Sequence, residues 1–193
     1  MSRPTKTQTR ARIVAAASDL FYQQGYHATS VDQVIAAAGV SKPAVYTYFP
    51  TKEALCLGYL DERARREGEL MESALKDLTT PRGRYVAIIW HVKKRIKAWE
   101  YRGCGFTNML AEFPDQDSPI AVTCKRYLEA QRDLVTSVVQ DLKVSSPHYA
   151  GLDAQAVADE YSLLIAGAIS ACQQFREDWP IERAAQRVDR LVG

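Results

Sequence analysis

The tightest constraint on this fold lies between two short helical stretches. Ser30-Val31-Asp32-Gln33 has the Ser-x-x-Gln form of a capping box, and the helix it opens carries Val31, Val34, Ile35 and Ala38 inward. Only Ala38-Gly39-Val40-Ser41 then separates that helix from the next, which Ser41 caps. Gly39 supplies the left-handed position that stops the first helix. Pro43 is tolerated in the second because first-turn amides have no helical partner to lose. Pro50 closes that helix after barely two turns, and Thr51 caps another. Two short helices joined by so few residues have the spacing of a helix-turn-helix.

Helical period dominates the rest. A first helix is expected from about Thr7 to Gln24, with Ile13, Ala17, Leu20 and Phe21 on one face and Gly25 ending it. The helix capped by Thr51 is expected to run to about Leu78, and its middle, DERARREGE, reads as polar all round, a solvated connector. From about Arg82, the residues Tyr85, Ile89, Val92, Ile96 and Trp99 recur at helical spacing until Arg102-Gly103-Cys104-Gly105 intervenes. A short helix to Phe113 follows, then one from Ser118-Pro119, one capped by Asp153, and a last one from Pro180. The expected class is all-α: a small basic domain to about residue 52, then a larger helical body.

Charge divides along the same line. Residues 1–52 carry six Lys or Arg against Asp19 and Asp32, while the other residues are mildly acidic. A basic head fits an anionic partner. The four cysteines, Cys56, Cys104, Cys124 and Cys172, are widely spaced and read as free thiols rather than zinc ligands. MSRPTKTQTR has no apolar leader, and no run is long enough to span a bilayer, so a cytoplasmic protein without membrane attachment is expected. No Ser-His-Asp order, phosphate-binding glycine loop or metal set stands out, so an enzyme and a cofactor are not expected.

In a helix-turn-helix the first turn of the second helix meets base edges. Here it presents Lys42, Pro43 and Ala44, with Thr47 one turn on. Lys42 suits guanine O6 or N7, and Pro43 and Ala44 suit a thymine methyl. Val45 and Phe49 are expected to point inward. Tyr46, Tyr48, Thr51 and Lys52 lie on the flanks and suit phosphate oxygens, as do free amides at Thr29 and Ser30. Arg3, Lys6 and Arg10, expected ahead of the first helix, form either a DNA-reaching arm or an idle tail.

The run Thr29-Ser30…Ala37-Ala38-Gly39-Val40-Ser41-Lys42-Pro43-Ala44-Val45-Tyr46-Thr47-Tyr48-Phe49-Pro50-Thr51-Lys52-Glu53-Ala54-Leu55 resembles the DNA-binding signature of TetR-family transcriptional regulators. The likeness covers about residues 10–60. It implies a homodimer, usually a repressor, that binds a palindromic double-stranded operator and is released by a small-molecule effector. Residues 1–52 would then be the helix-turn-helix DNA-binding domain and 53–193 the ligand-binding, regulatory and dimerisation domain. The implied DNA contacts are Thr29, Ser30, Lys42, Pro43, Ala44, Tyr46, Thr47, Tyr48 and Lys52. Ala44 and Thr47 are smaller than many members carry there, which shifts readout toward Lys42 and DNA shape.

Tyr161–Cys172 is apolar almost all round, so it is expected to bury two sides, one of them against a second subunit. Trp90, His91, Trp99, Phe106, Tyr127 and Tyr161 are candidates for an effector cavity. Cys104, Asn108 and Glu112 fall four apart, on one face of the short helix, with Gly103 and Gly105 beside the thiol. That pattern is similar to one in a subset of the family, some members of which sense electrophiles or oxidants. The other reading of the motif is local packing, with Asn108 and Glu112 satisfying backbone groups. Alternative functions are an architectural, weakly specific DNA-binding protein and a helical small-molecule enzyme.

Overall fold

Hydroxyl caps set the helix starts. In the computed structural model, which describes residues 5–193, α1 (Lys6–Gln24), α2 (Val31–Ala38) and α3 (Lys42–Tyr48) begin behind Thr5, Ser30 and Ser41. Thr5 with Gln8 and Ser30 with Gln33 form reciprocal capping boxes. Gly39, at φ 60°, ends α2 in the left-handed region as the sequence predicts. The remaining helices are α4 (Lys52–Leu75), α5 (Pro81–Ala98), α6 (Gly105–Leu110), α7 (Pro119–Ser145), α8 (Ala154–Phe175) and α9 (Trp179–Asp189), with a 3-10 turn at Pro147–Tyr149. Among the described residues every regular element is helical, and none is long and apolar enough to cross a membrane.

Two compact units divide the chain: residues 5–67 with 105–126, and residues 68–104 with 127–193. The first therefore runs past residue 52. The reason is packing, because α4 brings Leu55, Tyr59 and Leu60 to a core that Ile13, Phe21, Val34, Val45 and Phe49 begin, and all eight are buried. Each such side chain contributes roughly 1.5–3 kcal/mol on burial. Phe106, Met109, Ile120 and Cys124 come from the 105–126 segment and are buried too. The Phe49 ring lies so close to Gly58 that a Cβ there would come within 2.6 Å of it. The middle of α4, residues 61–69, contains the division between the units and is largely exposed, as its composition predicts, but two of its charged side chains are covered. Arg63 places its guanidinium 4.2 Å from the Tyr22 ring centroid, and Glu67, one turn on, is buried.

The second unit packs Tyr85, Ile88 and Ile89 of α5 with Val135, Val139 and Leu142 of α7, Tyr161 of α8, and Ile181 and Val188 of α9. A tyrosine relay ties three of these helices: Tyr161 donates to the Tyr85 carbonyl and Tyr85 to the Val188 carbonyl, each at 3.0 Å. Burial pushes both phenols well above the usual range, so they stay neutral donors. Along α8 only one side is covered: Ala158, Tyr161, Ala168 and Cys172 are buried, whereas Leu163 is 73% exposed beside exposed Ala166, Gly167 and Ser170.

Candidate nucleic-acid interface

The inner face of α3 is anchored by Val45, which is fully buried, and by Phe49 just after it. That leaves Lys42, Pro43, Tyr46 and Thr47 exposed together, with Ala44 half-buried among them. Thr47 turns its hydroxyl back to the Pro43 carbonyl at 2.8 Å, so its methyl is the group left for a partner. Lys42 Nζ donates to Asp32 Oδ1 of α2 at 3.1 Å, and this hydrogen bond raises the lysine pKa above its ordinary value. Ser30 and the first turn of α2 lie exposed as well. The face thus offers one ammonium, one carboxylate, hydroxyls and small apolar surfaces.

Several contacts expected from sequence take other partners. Thr29 is 1% exposed, and its hydroxyl donates to the Gly25 carbonyl at 2.7 Å. Its amide bonds to the Tyr26 carbonyl, and the Ser30 amide bonds to Gln33 Oε1 at 2.6 Å. Both amides therefore already have partners within the protein. Tyr48 is half-buried and donates to the Lys6 carbonyl at 3.0 Å, tying α3 to the start of α1. Lys52 holds its ammonium 4.2 Å from the Tyr26 ring centroid. Lys6 and Arg10 lie within α1 rather than ahead of it, with the Arg10 guanidinium 5.4 Å from the Phe49 ring centroid. Arg3 lies outside the described residues.

Sequence reading missed the partners of three further residues. Arg12 of α1 donates to the Ala38 carbonyl at 2.7 Å and the Gly39 carbonyl at 3.2 Å, capping the exposed end of α2. Asp32 of α2 accepts from Lys42 of α3. Glu112 accepts from the amides of Tyr26 and His27, each at 2.9 Å, and His27 Nε2 lies 3.2 Å from the Glu112 carbonyl. Gly25 makes the approach possible: its φ is 86°, and a Cβ there would run into Glu112 Oε1. The next residue, Phe113, packs its ring 5.0 Å from that of Tyr26.

These bonds correct the reading of the 104–112 motif. α6 ends at Leu110, so Glu112 lies in the turn beyond it and not on a helix face with Cys104 and Asn108. Its backbone partners are 86 and 85 residues away, not local. Cys104 is half-buried directly before α6, and Asn108 is half-buried on it. Tyr127 is half-buried on α7. Tyr161 is core, with its hydroxyl committed to Tyr85, and Phe106 is core in the first unit. Trp90 does not face an enclosed cavity. It is half-exposed beside an open groove of about 450 Å³ that Val86, Ile89 and Ala185 also line.

Known proteins share both the local pattern and the whole-chain architecture. Residues 13–58 match the family described as bacterial regulatory proteins, tetR family. The transcriptional activator FasR of Mycolicibacterium smegmatis is 33% identical over 88 residues, 46% of this chain and 40% of that protein. The regulator RutR of Escherichia coli K12 is 44% identical over 59 residues, 31% of this chain and 27% of its own length. The matched stretches thus span well under half of these relatives. A crystal structure of a TetR-family transcriptional regulator from Streptomyces coelicolor superposes over 96% of this chain and 95% of its own, with a TM-score of 0.87 and 25% identity. Residues 13–58 thus carry the tetR-family pattern of bacterial regulatory proteins, within an all-helical architecture that the whole chain shares with a TetR-family regulator.

Proposed function

We propose that the protein is a homodimeric, effector-released repressor in the cytoplasm, binding a palindromic operator with one α3 in each of two successive major grooves. The observation that carries this is the exposed Lys42-Pro43-Ala44 turn and Thr47 on a helix whose opposite face is locked by Val45 and Phe49. Lys42, Pro43, Ala44 and Thr47 meet bases in this reading, Ser30 and Tyr46 meet the backbone, and Tyr48, Thr29 and Lys52 hold the head's shape. FasR is named an activator, and the sign of regulation follows from where an operator lies relative to a promoter; repression is the reading adopted. A regulator accounts for this face; neither an enzyme nor a non-specific binder needs it.

The dimer reading rests on the bare side of α8, where Leu163, Ala166 and Gly167 are exposed and a Cβ on Gly167 would meet nothing within 4 Å. Such a surface suits a second copy related by a two-fold axis. Selection from a random duplex pool is expected to return a palindrome with half-sites about one turn, roughly 10 base pairs, or a multiple apart. Leu163→Glu is expected to give a folded monomer that loses the palindrome preference. A non-palindromic selected motif, or a Leu163→Glu chain that stays dimeric in sedimentation, refutes this arrangement.

Cys104 is the thiol proposed to answer electrophiles. Cys56, Cys124 and Cys172 are buried, and burial raises the Cys56 and Cys172 thiols above their ordinary pKa, whereas Cys104 is only half-covered. In this step the Cys104 thiol gives up its proton, the sulfur adds to the β-carbon of an activated alkene, the C=C π bond breaks, and the α-carbon takes up a proton from solvent. Wild-type protein treated with a Michael acceptor is expected to release the selected duplex, and Cys104→Ser protein to retain it. Equal release from both chains removes Cys104 from the mechanism.

A further inference from the structure

The Lys42–Asp32 pair sets a donor and an acceptor side by side on a face where a lone carboxylate is otherwise a liability. Both side chains are open to solvent, at 60% and 74% exposure, and Nζ lies 3.1 Å from Oδ1. Asp32 stands in the first turn of α2 and Lys42 in the first turn of α3, so the backbone of both helices brings the pair to the same edge. A phosphate cannot be the target of Asp32, since two anions repel in the grooves of DNA. The base edges that offer a carboxylate a hydrogen bond are exocyclic amino groups.

One base pair complements this pair of side chains. In the major groove guanine presents N7 and O6 as acceptors, and its cytosine presents the N4 amino group as a donor next to O6. An ammonium that gives one N–H to Asp32 keeps two for guanine. A carboxylate that accepts from Lys42 on one oxygen keeps lone pairs for cytosine N4. We infer that Asp32 is a specificity-determining residue that, with Lys42, reads a single G·C pair in each half-site: Lys42 takes the guanine and Asp32 the cytosine amino group. The pair also holds Lys42 off the phosphate backbone, so that its charge is directed to sequence and not to DNA at large. This inference rests on the DNA-reading function proposed above and adds Asp32 to it.

The test uses the full chain and three probes at one salt concentration: the duplex motif that wild-type protein selects from a random pool, its single-position variants, and a scrambled duplex. Asp32→Asn keeps the side-chain shape and removes the charge. It is expected to relax the preference for one G·C pair per half-site by about tenfold. Binding to the scrambled duplex is expected to tighten, because an anion among phosphates is gone. Lys42→Ala is expected to relax the same position. The inference is overturned if no position changes its preference, if that position is A·T in the wild-type motif, or if affinity for selected and scrambled duplexes changes by one common factor. Wild-type protein that selects no motif overturns the DNA-reading function itself, and Asp32 with it; a selected motif indifferent to Asp32→Asn overturns the role of Asp32 alone.

Discussion

Phe49→Ala is expected to destabilise the first unit by about 3–5 kcal/mol, the cost of emptying a well-packed aromatic site. Phe49 is 5% exposed, and its ring fills the space above Gly58 that a Cβ would otherwise occupy. It also carries the Arg10 guanidinium on its face, so the substitution removes a cation–π contact along with the apolar contacts. Backbone collapse cannot refill the site, because α3 ends at Tyr48 and Pro50 follows at once. The loss falls on the helix that carries Lys42, and DNA affinity is expected to go with it. The three tryptophans, Trp90, Trp99 and Trp179, all lie in the second unit. Tryptophan fluorescence against urea therefore follows that unit, while amide exchange in α1–α3 follows the other. Exchange in α3 that is unchanged by Phe49→Ala refutes the anchoring role.

Glu112→Ala is expected to cost about 2 kcal/mol, since it removes a carboxylate from two charge-assisted hydrogen bonds, with water recovering part of each. Glu112→Gln retains one acceptor oxygen and turns an NH2 toward the other amide, so it is expected to lose at least half as much. The measurement is amide exchange at Tyr26 and His27, which is expected to speed up in both variants while amides within α7 stay protected. Gly25→Ala provides the cross-check. In wild-type protein it strains a φ of 86° and evicts the Glu112 carboxylate; in Glu112→Ala protein only the backbone strain is left. The two substitutions are thus expected to be less than additive. Strict additivity shows that the carboxylate does not press on Gly25.

What the sequence revealed about this fold is what can be read within one helical turn. Ser30 with Gln33, Ser41 with Ala44 and the left-handed Gly39 are local devices, and each acts as its residue types predict. The inward direction of Val45 and Phe49 follows from their spacing of four. Spacing assigns a face but not the partner across it. It therefore placed Tyr48 on a flank without showing that the Lys6 carbonyl awaits its hydroxyl. It likewise read the Thr29 amide as free for phosphate when the carbonyl of Tyr26 accepts from it. Glu112 was visible as one of three polar residues at helical intervals, but its partners lie in a loop far upstream, and no local pattern encodes a contact of that range. Asp32 was counted only as charge against the basic head, because a salt bridge between successive helices depends on their crossing angle.

Three side chains lace the first three helices through backbone carbonyls: Tyr48 to Lys6, Arg12 to Ala38 and Gly39, and Thr29 to Gly25. The first joins α3 to α1, the second joins α1 to the end of α2, and the third closes the loop between α1 and α2. A block stitched in this way resists internal rearrangement, because shifting one of its helices against another breaks a bond to a backbone carbonyl. A repressor of the kind proposed above is thus expected to switch by carrying the block bodily toward or away from DNA, with the fit of its surface to the bases the same in either state.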